Sequence, residues 1–272
     1  MNNNRVISYY NQFDEWGRLE REPLEFNVNW HYIRRFLPKN GHILDNGAGP
    51  GKYAMELASC GYEVTLTDLT PRLVQIAREK AQELALTERF KGFHIADARS
   101  LNIFSDDSFD ASLMMGPLYH LQLQEEREQA VKELYRVTRR DGYVFVSFMT
   151  RIRHVLTVLA HPQSWRPNDN MGDIQAFMET GLFNHSDEGR FTGAYYYHID
   201  DITPFMETHG FETIKLIGSS SAAGSLTKEQ FDYWKSLGAE HYAKFMQFIY
   251  DTAENNYLLG SSSHLLYIGK RK

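Results

Sequence analysis

The run Asp45-Asn46-Gly47-Ala48-Gly49-Pro50-Gly51 has the residue types and spacing of a ligand loop. Glycines at alternate positions let a backbone turn tightly and come close to a ligand. An apolar stretch precedes the run and helical spacing follows it. The free N–H groups of that helix start suit a carboxylate or a phosphate. Several nucleotide-like ligands fit this much, and spacing removes two of them. The dinucleotide fingerprint Gly-x-Gly-x-x-Gly, counted from Gly47, requires glycine where Lys52 stands. The phosphate loop Gly-x-x-x-x-Gly-Lys-Ser/Thr, counted back from Gly51, meets Asn46 at its first glycine and Tyr53 at its hydroxyl position. What remains is an acidic residue followed by Gly-x-Gly-x-Gly.

Such a loop must be positioned by strands. His42–Asn46 reads as a buried strand and Lys52–Ser59 as the helix after the loop, ended by Gly61. Glu63–Thr67 is a β-branched second strand. Pro71–Leu84 is a helix with Thr70 as N-cap and proline at its first position. Phe93–Ala96 and Phe109–Met115 are strands three and four. Gln124–Val137 is amphipathic, with Ala130, Val131, Leu134 and Val137 at helical spacing. Asp141-Gly142 turns the chain into a fifth strand, Tyr143–Phe148. Strands alternating with helices imply right-handed βαβ units and a doubly wound α/β sheet with helices on both faces. Ligands on such sheets lie at the carboxyl ends of the strands, at the topological switch point. The loops after Asn46, Thr67, Ala96 and Met115 therefore surround one site.

Read together, these positions resemble motif I and the following strand ends of the class I, Rossmann-like methyltransferases that use S-adenosylmethionine (SAM). The resemblance covers Gly41–Phe148 well, and Tyr197–Ile217 and the last strand more loosely. It implies a seven-stranded, mostly parallel sheet in the order 3-2-1-4-5-7-6 with strand seven antiparallel. It also implies SAM as cofactor. Asp45 would lie near the amino end of the methionine part, with Gly47, Ala48 and Gly49 beside the cofactor. Asp68 would accept hydrogen bonds from the ribose hydroxyls and Leu69 would pack against the adenine. Asp97 would face the adenine amino group, with the backbone of Ala98 at a ring nitrogen. Met115 would pass near the methionyl chain. The stretch Leu134–Gly142 resembles the segment before strand five, with Asp141 where the family has a first glycine.

Gly116-Pro117-Leu118-Tyr119-His120-Leu121 follows strand four, where the methyl acceptor sits in this family. It departs from the Asn/Asp-Pro-Pro-Tyr motif of amino-directed enzymes and resembles bacterial small-molecule methyltransferases. His120 and Tyr119 are the candidate catalytic residues. As a base, His120 would have a pKa near working pH; alternatively it hydrogen-bonds locally and shapes the loop. The segment Tyr9–Arg18 resembles the entry helix that closes such sites, so Tyr10 and Arg18 are candidate contacts to the methionine carboxylate or the acceptor.

The expected organisation is one domain over 272 residues. A cap spans residues 1–40, and helical lid insertions span about 150–197 and about 225–256. A short helix is expected over Ser8–Trp16. Aromatics make up 14% of the chain, and Trp165, Phe177, Phe183, Phe191 and Tyr195–His198 cluster in the first insertion. They read as a lid core or as a wall for a flat, apolar acceptor. The net charge of −6 argues against nucleic acid as partner. The expected partner is a small organic acceptor. The runners-up are an RNA or protein methyltransferase, marked by a basic groove, and a non-catalytic SAM-binding protein. Cys60 is the only cysteine and the 11 histidines show no ligand-pair spacing, so no metal site is expected. The start Met1–Ile7 lacks the apolar run of a signal peptide and no stretch is apolar enough to span a bilayer, so the expected location is the cytoplasm.

Overall fold

The computed structural model describes residues 7–10, 16–17, 23–187 and 190–272. In chain order, α1 (Pro23–Phe36) leads into β1 (His42–Asn46), α2 (Lys52–Ser59), β2 (Glu63–Asp68), α3 (Pro71–Glu83) and β3 (Phe90–Ile95). Then come β4 (Phe109–Met114), α4 (Gln124–Val137) and β5 (Thr138–Met149). The first insertion holds α5 (Arg151–Ala160), α6 (Met171–Thr180), β6 (Leu182–Phe183) and β7 (Ala194–Tyr195). After α7 (Ile199–Thr208) and β8 (Phe211–Gly218), the second insertion forms α8 (Lys228–Ser236) and α9 (Ala239–Thr252), and β9 (His264–Arg271) follows.

Seven strands form one sheet in the order β3-β2-β1-β4-β5-β9-β8. The pairings are parallel from β3 to β5, and β9 runs antiparallel to both neighbours. This is the doubly wound order expected, with β9 and β8 in the places of strands seven and six. Ile43, Val64, Leu66 and Leu113 are fully buried, as strands covered on both faces must be. One face packs against α1, α2, α3 and α9 through Ile33, Leu57, Ala77 and Ile249. The other packs against α4 and α7 through Val131, Leu134, Ile202 and Met206.

The structure differs from the expectations at several points. β3 begins at Phe90, not Phe93. β5 runs unbroken from Thr138, so Asp141-Gly142 is not a turn before the strand. Asp141 takes a left-handed φ of 62° inside it, where the register with β4 also shifts. Aspartate tolerates this conformation better than most residues, which explains how it replaces a glycine here. Thr70 occupies the N-cap of α3, but its side chain makes no capping bond; the Asp68 carboxylate accepts the Thr70 N–H instead, at 2.8 Å. The pair β6–β7 was not foreseen. Residues 7–10 and 16–17 are helical; the rest of the expected Ser8–Trp16 helix lies outside the described residues.

The first insertion has its own core, whereas the second joins the core of the sheet. In the first, Phe177, Phe183 and Tyr196 enclose His154, whose ring lies 4.5 to 4.7 Å from theirs. Arg151, buried, donates to the Tyr196, Met178 and Glu179 carbonyls and ties this unit to β7. In the second, α9 packs on α1, where the Tyr32 hydroxyl donates to the Tyr250 carbonyl at 2.7 Å. Among the described residues no helix is long and apolar enough to cross a membrane.

Candidate functional site

The glycine loop turns at the carboxyl end of β1. Gly47 has φ 70°, and a Cβ there would stand 2.2 Å from Pro117 Cγ. Only glycine lets the β1 and β4 loops meet this closely. The loop is fastened to β2. The Gly47 and Ala48 N–H groups both donate to the Thr67 carbonyl, and the Gly49 N–H donates to Asp68 Oδ2 at 2.8 Å. The Asp68 carboxylate thus gathers two backbone donors, Gly49 and Thr70, from two loops.

Asp45 lies beneath the loop, 1% exposed, and neither of its oxygens makes a well-formed hydrogen bond. Burial pushes its carboxyl up to about 7, the Ala54 N–H opposes the shift and the Asp68 charge adds to it. An unmatched buried carboxylate at the loop suits a cationic ligand group, such as an amino terminus. At the end of β3, Arg99 engages the Asp97 carboxylate through Nε at 2.9 Å and Nη2 at 2.5 Å, and also pairs with Glu126. The side chain of Asp97 is therefore held by the protein itself, which is not the arrangement the adenine role implied.

These strand ends open on one cleft. Gly47, Ala48, Gly49, Asp68, Leu69, Asp97, Ala98 and Met115 line it, with Tyr10, Tyr119 and His120. Phe26, Tyr53, Glu25 and His264 also line it.

His120 sits in the short helical turn Pro117–His120, 8% exposed. Its Nε2 lies 2.9 Å from the Tyr10 hydroxyl and its Nδ1 is buried without a partner. The Phe191 ring covers it at 5.3 Å. Burial, reinforced by the nearby His264 imidazole, lowers its pKa to about 4. The expectation of a pKa near working pH is therefore corrected: His120 is a neutral imidazole near pH 7. The Tyr119 hydroxyl donates to the Met115 carbonyl at 3.2 Å. Facing them, His264 Nδ1 is 2.8 Å from Glu25 Oε2, and the His264 ring packs 5.4 Å from Tyr119.

A family profile described as a methyltransferase domain matches residues 44–146, the span from β1 into β5 that carries the loop, Asp68 and Asp97. Residues 44–146 of this chain are thus similar to a methyltransferase domain. A tRNA (carboxymethyluridine(34)-5-O)-methyltransferase of Arabidopsis thaliana is 31% identical over 123 residues, 44% of this chain and 28% of that protein. A ubiquinone/menaquinone biosynthesis C-methyltransferase, UbiE, of Geotalea daltonii is 29% identical over 142 residues, 49% of this chain and 58% of that protein. The chain thus spans less than two thirds of the length of these curated relatives. Among solved structures, the 1,6-didemethyltoxoflavin-N1-methyltransferase of Burkholderia thailandensis, with its namesake and S-adenosylhomocysteine (SAH) bound, superposes with a TM-score of 0.56. It is 14% identical and the match covers 99% of this chain and 86% of that one, a likeness of fold.

The cleft brings together every sequence-predicted site residue that the structure describes except Asp45, which lies under the loop rather than on the wall. Arg18 lies outside the described residues. The ring-rich Tyr195–His198 segment does not line the cleft. Arg127 stacks 3.5 Å from the centre of the Tyr195 ring and donates to the Leu121 and Gln122 carbonyls, so this segment braces the loop after His120. The residues missed were Glu25, Phe26, Tyr53 and His264. Tyr53 was legible as the residue after Lys52 at the start of α2. The Glu25–His264 pair joins residues 239 positions apart and has no local signature.

Proposed function

We propose that the chain transfers the methyl group of SAM to a small organic acceptor bound beside Tyr10, Tyr119 and His120. One observation carries this reading: a single cleft holds the glycine loop, the Asp68–Leu69 and Asp97–Ala98 strand ends, and an aromatic chamber after β4. Asp45 and the loop would hold the methionine end of SAM, Asp68 the ribose, and Leu69 with Ala98 the adenine. The sulfonium supplies an activated methyl, so the protein's work is alignment and exclusion of water. Phe26, Tyr53, Tyr119 and the covering Phe191 suit both tasks. His120, neutral and hydrogen-bonded to Tyr10, would position the acceptor rather than take up a proton. The first insertion would act as cover through Phe191, and the second would brace α1.

Similarity to a tRNA methyltransferase supports a second reading, transfer to RNA. The cations of the cleft speak for the small molecule. Arg99 is committed to Asp97 and Glu126, and Lys52 lies over the Trp16 ring at 4.7 Å. A methyl-labelled SAM assay against fractionated metabolites, bulk RNA and protein decides among these. Label entering a small-molecule fraction is expected. Label entering RNA alone supports the second reading, and binding of SAM with no transfer makes the protein a non-catalytic SAM binder.

A further inference from the structure

The wall opposite His120 carries a second imidazole in a different setting. His264 begins β9 and Glu25 lies in the first turn of α1. Their Nδ1–Oε2 contact is 2.8 Å, and both side chains line the cleft. A carboxylate accepts only, so Nδ1 carries the proton and Nε2 of the neutral ring presents a lone pair. Among the described residues no protein atom hydrogen-bonds that Nε2. The groups facing the ring are Glu25 from α1 and Tyr119 and His120 from the turn after β4. The same carboxylate stabilises the imidazolium that forms when Nε2 takes a proton.

We propose that His264, oriented by Glu25, takes the proton from a phenolic or enolic hydroxyl that accepts the methyl group. The proposal rests on the methyl-transfer reading above. A neutral amine attacks through its own lone pair and a carboxylate is already ionised, so neither needs this dyad. A phenol or enol is a weak nucleophile until its proton leaves. In the step, the hydroxyl proton passes to His264 Nε2 and the oxygen forms a bond to the methyl carbon. The carbon–sulfur bond breaks with its electron pair staying on sulfur, which gives the methyl ether and SAH. The proton then leaves His264 for solvent. Phe26, Tyr53 and Tyr119 supply a flat apolar wall for the ring that carries such a hydroxyl.

The test uses the full chain, methyl-labelled SAM and five probes: catechol and 1-naphthol as hydroxyl acceptors, with aniline, thiophenol and benzoate as comparators. SAH binding is measured first by calorimetry; no binding to the wild type overturns the parent reading and not this one. With SAH bound, label is expected on a hydroxyl probe. His264→Asn should lower that rate about 100-fold, the scale of a general base, with SAH affinity held within about twofold, since the loss is in the chemical step. Glu25→Gln should lower the rate and move the acid limb of the pH–rate profile to lower pH, because the imidazolium loses its counter-charge. A purely structural role would not move that limb. The proposal is overturned by label on aniline or thiophenol but on no hydroxyl probe, by no label on any probe, or by a His264→Asn rate within about threefold of wild type. If His264→Asn does not fold, an unmoved acid limb in Glu25→Gln overturns it.

Discussion

At the cofactor end of the cleft, contacts join neighbours in sequence: Gly49 and Asp68 are 19 positions apart, Asp68 and Thr70 only two. At the acceptor end, Tyr10 meets His120 across 110 positions and Glu25 meets His264 across 239. The first end is backbone geometry, fixed by glycines and one carboxylate at adjacent parallel strands. The second is assembled from four segments that only the completed sheet brings together. The contrast teaches that cofactor binding and acceptor choice fail separately, and the variants below exploit this.

The largest effect is expected from Gly47→Ala. Its new Cβ would overlap Pro117, at a φ that disfavours any side chain. Overpacking alone should cost about 1–3 kcal/mol in a urea melt. SAH affinity should fall at least about 100-fold, or about 2.7 kcal/mol, by calorimetry. An unchanged affinity would remove the loop from the cofactor site. Next, Asp68→Ala deletes acceptors for two backbone donors, each charge-assisted bond worth about 1.5–3 kcal/mol. Both thermal stability and SAH affinity should drop. Asp68→Asn, which keeps one carbonyl oxygen, should fall between Ala and wild type.

The two ends should also titrate in opposite senses. Folding raises the Asp45 pKa from 3.8 to about 7. Between those values the folded state holds a proton that the unfolded state has lost, so stability from this group falls as pH rises through that window. Folding lowers the His120 pKa from 6.5 to about 4. There the unfolded state binds the extra proton, so stability from this group is lost as pH falls from 6.5 towards 4. His154, also lowered to about 4 by burial, adds to the second trend from within the first insertion. Urea melts of Asp45→Asn across pH 4–7 should show stability rising more steeply with pH than in the wild type, because the opposing Asp45 contribution is gone. Identical pH profiles for variant and wild type would show that the Asp45 carboxyl is not perturbed.

The smallest effect is expected from Tyr10→Phe. It removes one partly buried hydrogen bond to His120, worth about 0.5–1.5 kcal/mol. SAH affinity should stay within about threefold, which is under about 0.7 kcal/mol. A much larger loss of SAH binding would move Tyr10 from the acceptor end to the cofactor end.

The same contrast explains what was legible in the sequence. The alternation of strands and helices, the helix bounds of α2 and α4, and the glycine loop follow from period and turn residues, while the strand order and the places of Asp68 and Asp97 come through the family resemblance. Such features are local, and parallel βαβ topology leaves few ways to connect them. The Arg99 clamp on Asp97 was missed because a charge in a loop, two residues past Asp97, reads as solvated. Glu25 and His264 were missed because neither carries a motif and their meeting depends on where α1 crosses β9. The His120 pKa was misjudged for a related reason: its burial comes from Tyr10 and Phe191, which lie far from it in sequence.

The central claim is that the cleft at the ends of β1–β4 is a SAM site. Calorimetric titration of the full chain with SAH, beside Gly47→Ala, tests it most directly. One-to-one saturable binding to the wild type, lost in the variant, is the predicted result. No heat of binding and no rise in melting temperature with either SAH or SAM would contradict it.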